Sequence, residues 1–358
     1  MRRPNHVMML VLATLLSLPL QAGAWNRGEV QTFAVLPDGS SGPEGLEVDA
    51  TGRVYATTFG FTSTGEAPGP GQLFVFDPEG QLLRQVSIQG STAHLLGLRF
   101  HPETQALLVI DFGGAKVLDV NPLTGAATVF MTLPPLPHPD LGAGLNDITF
   151  DRSGNVYVSD SFQGVIWKTG QRGGVANVWV DNSLLRTSGV PPFGANGLRF
   201  NREQTACFVA NTGNNTIVKV PVERGLPGTP TIFVNGVHGA DGLLIDGDGN
   251  LWVAANQADE IVIVDPTGKA LAKLGDFDGI NPRGEPIHLL FPASLRFSGR
   301  HLLVTNLALD LRIFSPSFAT VDSQWAAQVS RYTIVKIPAR IPAQPGSLDD
   351  GDADLGDD

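Results

Sequence analysis

The sequence predicts an all-β protein: a six-bladed β-propeller with four-stranded blades, closed into a ring by its terminal strands. Three observations carry this. Glycine (42 residues) and proline (26) are plentiful, and long helical stretches are scarce. A unit of about fifty residues recurs along the chain, the period of a propeller blade. Within each unit, short apolar runs alternate with polar turns, the pattern of successive β-strands.

The units open at Glu44 (EGLEVD), Leu96 (LGLRF), Asn146 (NDITFD), Asn196 (NGLRF), Asp241 (DGLLID) and Ala293 (ASLRF). Their starts are 52, 50, 50, 45 and 52 residues apart. Each begins with a short apolar strand and a polar turn. A second apolar strand follows, such as Val156-Tyr157-Val158 or Leu251-Trp252-Val253. After a Gly/Asn/Asp loop come an alternating strand, as at Thr216 to Val220, and a fourth, as at Thr231 to Val234. Four strands per repeat is a blade. Val30 to Val35 precedes the first unit and Ser330 to Ile337 follows the last, so one is expected to complete the other's blade.

Three segments follow. Residues 1–24 read as a signal peptide: Arg2 and Arg3, an apolar core from Val7 to Leu20, and the small-residue site Ala22-Gly23-Ala24. Residues 25–339 form the propeller. Residues 340–358 are an acidic tail without aromatics, expected to be disordered. The predicted location is therefore exported, periplasmic or extracellular. No second apolar run is long enough to span a bilayer. The formal net charge of -11 argues against nucleic acid and anionic membranes as partners. Cys207 is the only cysteine, so no intramolecular disulfide forms.

In a propeller, the innermost strand of each blade lines the central channel. The residue just before it is expected at the channel mouth. That position reads Glu44, Leu96, Asn146, Asn196, Asp241 and Ala293. Two carboxylates and two carboxamides thus converge on one point. Unpaired, the carboxylates would repel each other and lose hydration. A divalent cation removes both costs, and an all-oxygen set suits calcium best. Zinc or manganese can substitute in such a site.

The more conspicuous Asp246-Gly-Asp248-Gly-Asn250 resembles a calcium loop but lacks the required residues: Leu251 stands at its sixth position and Gln257 at its twelfth. Equivalent stretches in other units mark it as a hairpin turn. A second repeat position, Asp111, Asp160, Asn211 and Asn306, reads as side chains bonding local amides. The Pro-rich loops Pro134 to Pro139 and Ser183 to Pro192 are expected to cover one channel mouth.

The blade grammar and the Glu/Asn/Asn/Asp set resemble the senescence-marker-protein/gluconolactonase family, which includes regucalcin. Paraoxonases and strictosidine synthase-like propellers are more remotely similar. The resemblance implies that Glu44, Asn196 and Asp241 are metal ligands, with Asp241 also the general base. It implies that Asn146 contacts metal or substrate. His94, in AHLLGLRF, lies where paraoxonases place a catalytic histidine, and His238 is a second candidate; the plainer reading of both is a loop or packing residue. Gly144 stands where gluconolactonases often carry an arginine that grips a sugar acid, and the first motif is Glu-Gly-Leu rather than Glu-Gly-Pro. The resemblance thus implies the metal centre more than sugar-lactone specificity.

The expected function is an exported metal-dependent hydrolase of the lactonase type, acting on a small lactone or ester. The alternative is a non-catalytic propeller with a structural ion that binds a small molecule or protein. A strictosidine synthase-like condensing enzyme needs no metal, so the ligand set speaks against it.

Overall fold

The computed structural model describes residues 27–341. The expected signal peptide, and the acidic tail beyond Ile341, lie outside these residues. The regular secondary structure of the described chain is almost entirely strand. No helix in it is long and apolar enough to cross a membrane.

Antiparallel four-stranded meanders follow one another along the chain. The first pairs Pro43–Val48, Val54–Thr58, Gln72–Phe76 and Leu82–Ser87 in order. Two more start at Leu95–Phe100 and Leu145–Phe150, and merge where Met131 and Thr132 pair in parallel with Gly174 and Val175. Others start at Ala195–Phe200 and Ala240–Ile245. The last joins Pro292–Ser298, His301–Asn306 and Thr333–Pro338, with Gln31–Val35 as its outer strand. The expected mutual completion of the terminal strands is therefore present.

The first strands of these meanders pack side by side in chain order, and Pro292–Ser298 returns to pack beside Pro43–Val48. Hydroxyls stitch the cycle. Ser161 Oγ donates to Ala195 O (2.7 Å), Thr212 Oγ1 to Ala240 O (2.8 Å) and Thr305 Oγ1 to Glu44 O (3.0 Å). Glycine makes the approach possible. A Cβ at Gly97 would lie 2.7 Å from Asn146 O, and one at Gly197 2.5 Å from Asp241 O. Any side chain there would push neighbouring strands apart.

Burial follows this order. Val54–Thr58 is buried throughout, whereas the outer strand Leu82–Ser87 is half exposed and carries polar residues. Apolar side chains between adjacent meanders, such as Trp167, Leu98 and Ile263, are fully buried. Each contributes about 1.5–3 kcal/mol of hydrophobic stabilisation. Cys207 is buried in this core, and burial pushes its thiol up, leaving it unreactive.

The hairpin turns behave as predicted. Asp246 accepts from the amides of Asp248 and Asn250 and from the side chains of Asn250 and Trp252, all within 3.0 Å. Both carboxylate oxygens are consumed. Asp49 and Asp151 close their turns in the same way and accept from Tyr55 and Tyr157.

Candidate metal centre

Every inner strand carries a register shift at the same place: Pro43/Leu46, Leu95/Leu98, Leu145/Ile148, Ala195/Leu198, Ala240/Leu243 and Pro292/Leu295. Two residues of the inner strand face one of its neighbour, which is a β-bulge. The first bulged residue is in turn Glu44, Leu96, Asn146, Asn196, Asp241 and Ala293. The candidate ligands thus sit one residue inside the strand, not just before it, and the bulge re-aims their side chains.

Glu44, Asn146, Asn196 and Asp241 line one pocket, each at most 5% exposed. Its free volume is about 20 Å³, room for one ion or water. Leu96 lines it too, as do Phe59, Thr212, Asn256 and Leu307. This last group comes from a second register position, one residue past each second strand: Phe59, Phe112, Ser161, Thr212, Asn256 and Leu307. The sequence reading passed over this position. It weighed the preceding residue, where Asp111, Asp160 and Asn211 accept from local amides as expected, whereas Asn306 accepts from Leu290 N and donates to His288 O in a different loop.

Hydrogen-bond logic fixes how the amides point. Ser161 spends its proton on Ala195 O, so toward Asn146 it can only accept. Asn146 Nδ2 donates to it at 3.3 Å, which leaves Oδ1 buried without a partner. Thr212 likewise spends its proton on Ala240 O and accepts from Asn196 Nδ2 at 3.0 Å. Asn256 Nδ2 donates to Asp241 Oδ2 at 2.9 Å, and Asn256 Oδ1 accepts from Gln257 Nε2 at 3.0 Å.

The carboxylates are electrostatically frustrated. Burial first, then the negative charges of Asp241 and Asp147, raise the Glu44 pKa well above the usual range. Glu44 Oε2 is buried and has no partner. Burial, with repulsion from Asp147, pushes Asp241 up to about 7 against the bond from Asn256. Next to the pocket lies a buried charged layer. In it Arg199 pairs with Asp147 at 2.6 Å and Arg99 with Glu47 at 3.0 Å, with Arg296 3.4 Å from Glu47. These arginines come from the repeated Leu-Arg-Phe triplets, which the sequence reading treated only as strand.

The donor set fits a hard divalent cation. Two buried carboxylates disfavour their own charge, and two bare oxygens face the same small space. Among the described residues, no three His, Cys, Asp or Glu side chains form a metal-binding group, so a cation here would need the asparagine oxygens as well. His94 stands apart. Its Nδ1 lies 2.7 Å from Phe59 O and its Nε2 2.9 Å from Glu66 Oε1, so both ring nitrogens face acceptors. His238 is exposed and is not among the pocket's lining residues.

Outside the polar pocket lies a larger bowl of about 480 Å³. Phe59 and Phe193 line both. Both Pro-rich loops or their immediate flanks contribute: Leu141 on one side, Thr187, Pro192 and Phe193 on the other. Phe314 and Phe318 come from the insertion between His301–Asn306 and Thr333–Pro338.

Residues 103–275 match the model of the SMP-30/Gluconolactonase/LRE-like region, and residues 31–59 that of the strictosidine synthase-like N-terminal region. A search of curated proteins finds no match. Among solved structures, the chain is similar to a luciferin-regenerating enzyme (TM-score 0.59, 15% identity, covering 87% of this chain and 95% of that one). It is similar to a gluconolactonase from Xanthomonas campestris (TM-score 0.58, 14% identity, 87% and 89% covered). A third is regucalcin from Agrobacterium tumefaciens, a calcium-binding protein (TM-score 0.57, 18% identity, 86% and 97% covered). At such identities the likeness shows a shared all-β, propeller-type fold.

Proposed function

We propose, for a chain that carries an SMP-30/gluconolactonase/LRE-like region over residues 103–275, that it is an exported, divalent-metal-dependent hydrolase of the lactonase type built on six propeller blades. The closed cycle of inner strands supports the blade count. Export rests on the leading segment alone. The observation that carries the function is the pair of buried, unpartnered oxygens, Glu44 Oε2 and Asn146 Oδ1, which share one small pocket with Asp241.

Glu44, Asn146, Asn196 and Asp241 would hold the cation, with calcium the first choice. When bound, it supplies Lewis-acid polarisation of a lactone or ester carbonyl. The chain's residues do the rest. Asp241, oriented by Asn256, takes a proton from the attacking water and returns it to the departing alkoxide. Asn146 presents an oxygen rather than a donor, so it serves the ion and not a developing oxyanion. Phe59 and Phe193 keep bulk water from the reacting centre. No catalytic step is assigned to His94, because Phe59 O and Glu66 occupy both of its nitrogens.

The test is a panel of aliphatic, aryl and sugar lactones assayed with calcium, zinc, manganese or chelator. Chelator-sensitive turnover that Asp241→Asn abolishes, in a variant that still folds, supports the proposal. Turnover retained by that variant removes Asp241 from its role. Metal binding that raises the melting temperature, without turnover of any lactone, favours a non-catalytic propeller instead.

A further inference from the structure

We propose that the non-reacting part of the substrate is an aromatic or comparably bulky apolar group, seated in the phenylalanine bowl outside the polar pocket. This rests on the lactonase reading and names the substrate class for that same site.

The bowl is lined by Phe59, Phe112, Phe162, Phe193, Phe314 and Phe318. Its 480 Å³ is in the range of small-molecule sites and is open space rather than packed core. The rings hold one another in place. Phe59 and Phe112 meet edge to face at 5.4 Å, and Phe162 stacks on Phe193 at 5.7 Å. Phe314 is 40% exposed, an apolar ring left facing solvent beside an empty space.

The hydroxyls of the bowl have no proton left to give a polyol, and each already accepts one hydrogen bond. Among the described residues, Ser161 and Thr187 are the only polar side chains that line it. Ser161 gives its proton to Ala195 O, and Thr187 Oγ1 gives its own to Asn214 Oδ1 at 2.7 Å. Among the described residues, no charged side chain lines the bowl to grip an acid. Gly144 keeps Phe162 in place, because a Cβ there would lie 2.8 Å from the ring. A sugar lactone would bury hydroxyls against phenyl rings without partners, whereas an aryl group would stack. Phe59 and Phe193 line both spaces, so the bowl adjoins the polar pocket, and a group seated in it would hold its carbonyl at that pocket's mouth.

The experiment titrates two non-hydrolysable lactams, one benzo-fused and one sugar-derived, onto the full chain with calcium by calorimetry. The benzo-fused lactam is expected to bind at least about 10-fold tighter. Phe162→Ala and the more exposed Phe314→Ala should each weaken it several-fold to about 10-fold, and leave the sugar lactam unchanged. Equal or tighter binding of the sugar lactam overturns the proposal. So does benzo-fused binding untouched by both substitutions, once thermal melts show that the variants fold. The two readings fail separately. Phe-dependent lactam binding without turnover of the matching lactone keeps the bowl and removes the lactonase; chelator-sensitive turnover that prefers the sugar lactone does the reverse.

Discussion

Asn256 Nδ2 donates to Asp241 Oδ2 across 2.9 Å, and Gln257 holds Asn256 from its other side. The carboxylate that carries the proposed chemistry is therefore pinned by a neighbour from the second register position. Asn256→Leu keeps the volume and removes the donor. Outer partners of this kind are worth about 10–100-fold in metal affinity or activity. Calorimetry with calcium should show a loss of that size, with the melting temperature of the metal-free protein little changed. An unchanged affinity would mean that Asp241 needs no positioning.

Ser161 and Thr212 act one step further out. Each commits its proton to a backbone carbonyl and so accepts from an asparagine amide, which for Asn146 leaves Oδ1 buried without a partner at the pocket. Ser161→Ala frees the Asn146 amide to flip. Calcium affinity should fall about 10-fold, and Ser161→Thr should restore most of it. If Ser161→Ala leaves affinity intact, the orientation argument fails.

Proton release is a third consequence. In the metal-free protein, burial holds Asp241 up to about 7 and Glu44 well above the carboxylate range. A cation needs the charged form, so binding expels the proton that Asp241 holds near pH 6. Calorimetry in buffers of different ionisation enthalpy should detect about one proton released per calcium at pH 6. Affinity should climb as pH rises toward 7. A buffer-independent enthalpy at pH 6 contradicts the buried-carboxylate account.

Away from the site, Asp259 and Asp322 face each other, both buried. Burial first, then repulsion from Asp322, pushes Asp259 up to about 8, and Asp322 is raised as well. Between the unfolded carboxylate pKa and 8, the native protein holds a proton that the unfolded chain has released. Stability is therefore present at low pH and lost as pH rises through that window, by up to about 1.4 kcal/mol per pH unit. Asp322→Asn removes the like charge and should flatten the melting temperature between pH 5 and 8. A wild-type melting temperature that rises over this range would contradict the pair.

Much of this was legible from the repeats. Glu44, Asn146, Asn196 and Asp241 share one register position, and a shared register in a ring points at one axis. The turn role of Asp246 followed from its counterparts Asp49 and Asp151. Other parts were hidden for physical reasons. A β-bulge shifts the side-chain alternation by one residue, so the facing set Ser161, Thr212 and Asn256 could be found only by moving the second register along by one. Arg199 and Arg296 read as ordinary strand residues because nothing in a Leu-Arg-Phe triplet says that its arginine is buried. The bowl has no repeat signature beyond Phe59, Phe112 and Ser161, since Phe162, Phe193, Phe314 and Phe318 come from loops of unrelated length.

The central claim is that the quiet repeat position, and not the conspicuous Asp246 to Asn250 turn, holds the ion. Calcium titration of the chelator-stripped chain tests it most directly, with Glu44→Gln, Asp241→Asn and Asp246→Asn in parallel. The account predicts one tight site, weakened about 100-fold or more by either of the first two substitutions and unchanged by the third. No binding to the wild-type chain, or binding lost in Asp246→Asn and kept in Glu44→Gln, would contradict it.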